Sequence, residues 1–512
     1  MKDKIKKYFT LDNIIIYSLI IIFSYAYCQK TFDNDLFFDI KTGESILKYG
    51  LDFKEHFSFI PNLTYLYHHW FYDLVIHFIF NKFSYIGLYI FFQLIFLTFN
   101  IIYYRLCLKI SKSKLLSISS TIITIILCSY AFQTRVQSIT YILFILELYY
   151  LEKIYSEFNT TKYLILLAIN SIIIVNIHMP VWLLTIVFAL PMYAELFLHY
   201  LSNKNKKIKT FLNKHFILEE PKNSKNLLIA LLILLISGLI SPFGLSPYTF
   251  IIKVALTNKY DYFHITELRS LKIYEDYYYL GLTIIFLIGI IFKMFKFKVR
   301  DFILFVGLFI FGLIVIRNTI YFYLAVPLIF LRGIHNSDFR VNISFITNFL
   351  KRFKKTHLII IKSFVLICII CIYVASFKEI DYKTYDFDIP LNYPVKAVEY
   401  IKENIDYKNI KMYNEFDYGS YLAFNDIPIF IDSRAEVYIS DFNNSYDICI
   451  DYADSLDSNK SKAIFDKYKF DYALVYRYGY AYGILEVNND YIEIYRDEDF
   501  VLYERKNNEE NI

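Results

Sequence analysis

The sequence contains no metal-binding cysteine pattern, no glycine-rich phosphate loop and no concentrated basic patch. Its six cysteines lack the spacing of a zinc site or a disulfide framework. In the C-terminal part Gly419, Gly479 and Gly483 stand alone, and no internal repeat is apparent. The formal net charge is only +5, and the basic residues are dispersed. This pattern argues against a nucleic-acid-binding protein.

Charged residues are also scarce, at 20% of the chain against 56% hydrophobic residues. Apolar runs of roughly 17–25 residues, enough to cross about 30 Å of hydrocarbon, recur along most of the sequence. They begin at or near Leu11, Ser84, Leu115, Thr134, Lys162, Val181, Asn226, Tyr277, Asp301, Asn318 and His357. The pattern predicts a polytopic α-helical membrane protein with about eleven transmembrane helices.

Lysine and arginine residues set the predicted orientation. Four lysines within residues 2–7 place the N-terminus in the cytoplasm, and no cleavage site follows the first run. Later basic segments, including Lys204–Lys225 and Arg332–Lys355, then fall on the inner side. A crossing by Trp70–Lys82 would invert these loops, so this stretch is interpreted as an interfacial helix. The predicted location is the cell membrane, with a multi-pass topology.

The sequence predicts two domains, a transmembrane domain over residues 1–377 and a soluble, extracytoplasmic domain over residues 378–512. The first external loop comprises residues 29–83. Helical and strand-like patterns alternate after the boundary, which favours a small α/β fold. The predicted helices are Val395–Ile405 and Ser461–Lys469, and the predicted strands are Lys411–Tyr413, Ile427–Ile431, Tyr472–Tyr476 and a hairpin of Tyr491–Arg496 with Phe500–Arg505.

Three acidic residues, Asp33, Asp35 and Asp39, follow the first apolar run on the external side. Asp33 and Asp35 could share a metal or a proton, and paired carboxylates near an apolar boundary have displaced pKa values that suit base catalysis. The alternative is that one of them caps the helix that begins near Phe37. We predict Asp33 or Asp35 as the catalytic base and Asp39 as a substrate-binding residue.

Histidines and arginines occur at the same predicted level of the membrane. His68, His69 and His178 could donate a proton or hold a phosphate oxygen, or they could be merely amphipathic. Arg135 and Arg317 each begin a span on the external side, where a guanidinium can grip phosphate with two hydrogen bonds or simply reach toward headgroups.

A further external connection contains Glu267. It is a candidate substrate-binding residue, with a surface ion pair to Arg269 as the alternative.

A series of short motifs resembles a large group of uncharacterised bacterial multi-pass membrane proteins similar to the GT-C glycosyltransferases. The motifs are Asp33–Asp39, Lys41–Gly43, His69–Trp70, Arg135, Asn176–His178, Ser241–Gly244, Thr266–Glu267, Arg317–Asn318, Phe416–Gly419 and Phe430–Arg434. The resemblance covers nearly the whole chain. Two features depart from it: the C-terminal part has no Trp-Trp-Asp motif, and Asp432-Ser433-Arg434 replaces a common Asp-Gly-Arg.

The resemblance implies transfer of a sugar from a polyprenyl-phosphate carrier to a lipid, glycan or protein acceptor on the outer membrane face. It also implies that the essential acid lies in the first external loop, where Asp33 or Asp35 matches it. The expected partners are membrane lipids, the lipid-linked donor and the acceptor, without nucleic acid. No metal ligands are assigned, and a divalent cation is compatible with the chemistry without being required. The alternatives are a non-catalytic binder or transporter of lipid-linked glycans, and a receptor or assembly factor acting through its C-terminal part.

Overall fold

A computed structural model describes residues 10–28, 32–337, 367 and 393–506. Residues 10–337 are mainly helical within this described part, because a continuous apolar run satisfies its own backbone hydrogen bonds as a helix. The helices are α1 Leu11–Tyr27, α2 Asn34–Tyr49, α3 Trp70–Ser111, α4 Lys114–Cys128, α5 Gln137–Ser156, α6 Thr161–Ile177, α7 Leu183–Lys204, α8 Lys206–His215, α9 Ser224–Ser237, α10 Ser246–Leu256, α11 Tyr277–Ile291, α12 Val299–Ile314 and α13 Thr319–His335.

Three helical segments of the described chain are long and apolar enough to cross a membrane. They are Trp70–Ser111, Lys114–Ala131 and Met179–Lys204. Five shorter apolar helices accompany them: α1, α6, α9, α10 and α11. The helical class of the protein is therefore confirmed, whereas the number of eleven crossings stays a prediction. The predicted span from His357 lies outside the described residues, apart from residue 367.

Helix α3 joins two segments that the sequence predicted as separate. Its backbone breaks at Ser84, where φ is 54° and ψ is −157°. The break comes close to the end of the predicted interfacial stretch, Trp70–Lys82, and at the start of the next predicted span. The two parts of α3 can therefore take different directions.

The C-terminal segment, residues 393–506, contains a four-stranded sheet in the order β1-β2-β4-β3. Strand β1 is parallel to β2, and the other neighbours are antiparallel. The strands are β1 Met412–Tyr413, β2 Tyr472–Tyr476, β3 Tyr491–Arg496 and β4 Phe500–Arg505. The helices of this segment are α14 Val395–Asn404, α15 Gly419–Phe424, α16 Ser440–Asn443, α17 Ile448–Ser455, α18 Ser461–Tyr468 and α19 Tyr480–Glu486.

Most of the predicted elements of this segment are confirmed, including the hairpin of β3 and β4. The exception is Ile427–Ile431, which forms no strand. Instead, Ile429 makes a single parallel bridge with Ser58 of the first loop. Its carbonyl oxygen accepts hydrogen bonds from the Phe59 N–H at 3.2 Å and from the Ser58 hydroxyl at 2.9 Å. Residues 427–431 thus bind the first loop through Ile429 instead of joining the sheet. The predicted domain boundary at 377/378 lies outside the described residues.

An apolar core continues from the first loop into the C-terminal segment. Ile60, Leu63 and Tyr65 of the loop are buried in the same cluster as Tyr413 and Phe430. Burial of aromatic and aliphatic surface is the main stabilising contribution to such a contact. This packing fixes the C-terminal segment over the acidic residues of the first loop.

Candidate functional site

Asp33 caps helix α2. Its Oδ1 accepts a hydrogen bond from the Asp35 N–H at 3.0 Å, and its own N–H donates to Thr134 Oγ1 at 2.9 Å. Aspartate is among the best capping residues because its carboxylate satisfies a free N–H of the first turn. The capping alternative is therefore correct for Asp33, and the cap fixes the position of both carboxylates.

The guanidinium of Arg135 joins the two first-loop aspartates. Its Nε and Nη2 donate to the two carboxylate oxygens of Asp33 at 2.7 and 3.0 Å, and Nε lies 3.2 Å from Asp35 Oδ2. A planar guanidinium matches a carboxylate in this two-bond arrangement. Arg135, predicted to hold the donor phosphate, is engaged here with carboxylates and orients both of them.

Glu267 extends the same cluster. Its carboxylate oxygens lie 3.3 and 3.2 Å from Nη1 of Arg135, and its Oε2 lies 3.8 Å from Nε of Arg317. The alternative pairing of Glu267 with Arg269 is wrong, because Arg269 bonds to Glu275 at 2.7 Å. The side chain of Arg317 is 40% exposed and makes only this long ion pair with the described residues. Arg317 is thus the cation of the cluster that is best placed to accept an added anion.

Among the acids of this cluster, Asp35 has a displaced pKa. Its pKa is raised from 3.8 to about 6, because burial and the charge of Asp33 raise it by more than Arg135 and a hydrogen bond with Ser433 lower it. Ser433 belongs to the C-terminal segment and contacts Ser420 at 3.0 Å through the two hydroxyls. A carboxylate with a pKa near the working pH can both accept and release a proton, which suits a general base.

A second group of polar residues lies deeper beneath this cluster. Asp39, His69 and Asp73 are 2%, 8% and 0% exposed, and one ligand-type atom of each lies within 4.8 Å of the others. His69 Nδ1 is 3.7 Å from Asp39 Oδ1. Burial raises the pKa of Asp39 well above its usual range, and the neighbouring carboxylate of Asp73 raises it further. We name Asp39, His69 and Asp73 the buried triad.

Close packing of two helices positions the buried triad. Gly43 of α2 faces α3 so tightly that a Cβ there would lie 2.3 Å from the Asp73 carbonyl oxygen. Only glycine allows this approach, which brings Asp39 of α2 beside Asp73 of α3. His69 precedes α3 and Asp73 lies four residues later, so the helix presents both on one side.

The three predicted histidines form one buried group. Their rings are neighbours, with centroids 4.2 Å apart for His68 and His69 and 5.0 Å apart for His69 and His178. Nδ1 of His68 lies 3.1 Å from Glu436 Oε1, and Nδ1 of His178 lies 3.3 Å from Thr140 Oγ1. Burial lowers the pKa of all three imidazoles, so they are neutral at physiological pH.

The structure brings every sequence-predicted site residue into two adjoining groups. Asp33, Asp35, Arg135, Glu267 and Arg317 form the ionic cluster nearer the surface. Asp39 and the three histidines lie in or beside the buried triad.

Sequence reasoning missed three contributors: Asp73, Ser433 and Glu436. The spacing of His69 and Asp73 by four residues could have indicated Asp73, since metal and catalytic pairs on helices often use this interval. Ser433 lies in the motif Phe430–Arg434 but was not predicted as a site residue, and Glu436 carried no such local signal.

Comparison with protein families adds no constraint: no family model matches this chain, and no curated protein sequence is significantly similar to it.

Proposed function

We propose that this protein is a multi-pass membrane glycosyltransferase of GT-C type. In this proposal about eleven helices cross the cell membrane, and the C-terminal segment lies on the outer face. The donor is a sugar on a polyprenyl phosphate, and the acceptor is a hydroxyl group of a lipid, glycan or protein. The observation that carries the proposal is the ionic cluster, in which a carboxylate of raised pKa, Asp35, lies next to two guanidinium groups.

Asp35 is the base in the proposed reaction. It accepts the proton of the acceptor hydroxyl while the acceptor oxygen bonds to the anomeric carbon of the sugar. The bond between that carbon and the phosphate oxygen breaks, and its electron pair leaves with the polyprenyl phosphate. Asp33 supports this role, because its cap and its pairing with Arg135 hold the carboxylate of Asp35 in place.

The arginines act on the leaving group. Negative charge grows on the phosphate as the sugar departs, and preorganised cations stabilise that charge. Arg317 meets the phosphate directly, since its side chain is 40% exposed and only loosely paired with Glu267. Arg135 contributes positive charge while it organises Asp33 and Asp35. The neutral imidazole of His178 lies close enough to Arg317 for its pKa to be lowered by that charge.

The C-terminal segment supports the proposal by its position. Ser433 contacts Asp35, and Glu436 lies 3.1 Å from His68, so this segment contacts both polar groups of the site. An acceptor that enters between the C-terminal segment and the first loop would contact Asp35. The long isoprenoid of the donor would stay in the hydrocarbon beside the helices.

The test is a turnover assay with purified protein and a membrane lipid extract. We expect consumption of a polyprenyl-phosphate sugar and a matching mass gain in one acceptor, and both should disappear in Asp35→Asn. Saturable binding of the lipid-linked sugar without any mass gain would overturn the catalytic proposal and favour the non-catalytic binder or transporter. Glu44→Gln is a matched control, because Glu44 lies on the same helix and its side chain is 54% exposed.

A further inference from the structure

We propose that the buried triad, Asp39, His69 and Asp73, binds a divalent transition-metal ion such as Mn²⁺ or Zn²⁺. This inference does not rest on the proposed function, because the site is defined by geometry alone. The three residues supply two carboxylates and one imidazole, and one ligand-type atom of each lies within 4.8 Å of the others.

The first argument is that the triad's polar atoms are buried without partners. Apart from the contact between the two carboxyl groups, Oδ1 of Asp39, Nδ1 of His69 and both carboxylate oxygens of Asp73 have no hydrogen-bond partner. A buried polar group that lacks a partner costs free energy, and a buried unpaired charge costs more. Among the described residues, no lysine or arginine pairs with Asp39 or Asp73 within 4.0 Å. No cationic side chain is therefore in place to neutralise these carboxyl groups when they ionise, and a bound metal ion would do so.

A shared proton is the competing explanation. One proton between Asp39 and Asp73 would satisfy one pair of oxygens and remove one negative charge. It would leave Nδ1 of His69 without a partner, although this atom lies 3.7 Å from Asp39 Oδ1. A single metal ion instead contacts all three side chains at once.

The distances fit a metal after a small adjustment. Zinc lies about 2.0–2.2 Å from nitrogen and oxygen ligands, so two ligands of a tetrahedral ion are roughly 3.4 Å apart. The separation of 3.7 Å between His69 and Asp39 is close to this value. Carboxylates suit Mn²⁺ and imidazole suits Zn²⁺, so the mixed donor set favours these ions over Ca²⁺. The packing of Gly43 against Asp73 holds the two aspartate-bearing helices at the required spacing.

The test measures metal binding by the full-length protein in detergent after treatment with a chelator. Mn²⁺ is titrated, and the free ion is followed by electron paramagnetic resonance. We expect one saturable site per chain. Asp39→Asn and Asp73→Asn should each weaken binding by more than about 100-fold, because residues that only support a ligand already change affinity by ~10–100-fold. Glu44→Gln should bind like the unaltered protein.

A second measurement distinguishes loss of the metal site from loss of folding in the variants. In chelated protein, Asp73→Asn replaces a buried carboxyl group that has no basic partner by a neutral amide of the same size, so its thermal midpoint should stay close to that of the unaltered protein. Added Mn²⁺ should raise the midpoint of the unaltered protein but not that of the variant. In addition, His69→Cys should gain a cadmium–thiolate absorption band, because thiolate prefers softer ions. Absent or non-saturable Mn²⁺ binding, or equal binding by all variants, would overturn the proposal in favour of a shared proton.

Discussion

Glu55 of the first loop and Arg434 of the C-terminal segment form a two-pronged ion pair. Nη1 and Nη2 of Arg434 lie 2.6 and 3.0 Å from the two carboxylate oxygens of Glu55, and both side chains are 1% exposed. Asp432 binds the remaining edge of the guanidinium, and the ring of Phe57 lies 4.5 Å from its central carbon. This buried ion pair joins the C-terminal segment to the first loop, which carries Asp33 and Asp35.

Removing one charge of this pair should destabilise the protein. Glu55→Gln keeps the size of the side chain but leaves Arg434 incompletely paired, and breaking a buried pair costs about 3–5 kcal/mol. We expect a lower thermal midpoint and faster proteolysis between the first loop and the C-terminal segment. Asp454→Asn is the control, because it breaks an exposed pair with Lys460, which is 58% exposed. An unchanged midpoint in Glu55→Gln would show that the link contributes little.

The two first-loop aspartates should respond differently to amide substitution. Asp35→Asn removes the proposed base and should lower turnover by roughly 10²–10⁴-fold with expression preserved. Asp33→Asn keeps a good helix cap but loses the charge that pairs with Arg135. We therefore expect a smaller loss of turnover together with a lower thermal midpoint. Initial rates and unfolding curves of the two variants check this, and full activity in both would remove the acids from the mechanism.

The pH dependence of turnover follows from Asp35. Because burial raises its pKa from 3.8 to about 6, the base form is scarce below pH 6 and dominant above it. The rate should increase as the pH rises through about 6 and then level off. The Asp35→Asn variant should lose this step. A rate that stays constant between pH 5 and 7 would contradict the assignment of Asp35 as the base.

Sequence reasoning succeeded where the signal is local. The strand-like pattern of residues 472–476 and the hairpin pattern of residues 491–505 predicted strands that the structure confirms, since strand propensity and turn chemistry are encoded within a few residues. Helix capping by Asp33 or Asp35 was one of two interpretations of the sequence, because capping depends on the residue and the first turn that follows it. The proximity of Arg135 and Arg317 to the first-loop acids was predicted from their common position on the predicted external side.

Sequence reasoning failed where a partner lies far along the chain. Nothing near Glu55 indicates that it meets Arg434, which is 379 residues away. Ile429 gave a strand-like pattern because it is buried, yet it bridges to Ser58 instead of joining the sheet. Tertiary contacts of this kind follow from packing, not from local periodicity.

The proposed topology can be tested with single cysteines in a background without the native ones. A cysteine within Lys204–Lys225 should be shielded from an impermeant thiol reagent in intact cells, while one in Ser458–Lys460 should react. The second position is exposed in the structure, so a lack of reaction there would report location and not burial. Both positions should react after the cells are permeabilised. Reaction within Lys204–Lys225 in intact cells would invert the predicted orientation.

Lysine substitutions should separate the roles of the two arginines. Arg317→Lys keeps the charge but replaces the planar guanidinium, which can donate two parallel hydrogen bonds to a phosphate, by an ammonium group. We therefore expect weaker binding of the donor, seen as a higher KM for the lipid-linked sugar. Arg135→Lys cannot make both bonds to Asp33 and should lower kcat as well, because Asp35 loses its orientation. Donor dependence of the initial rate measures both effects.

The control for these variants is Arg105→Lys, because Arg105 is exposed and its predicted position is at the opposite membrane face. An arginine that only reaches toward headgroups tolerates lysine, since both side chains carry a charged end on a long apolar stem. Arg105→Lys should therefore behave like the unaltered protein. If Arg135→Lys and Arg317→Lys also did so, the arginines would not bind the phosphate. The neutral imidazoles of His68, His69 and His178 would then be the remaining candidates, because they are the other predicted residues that can contact a phosphate oxygen at this depth.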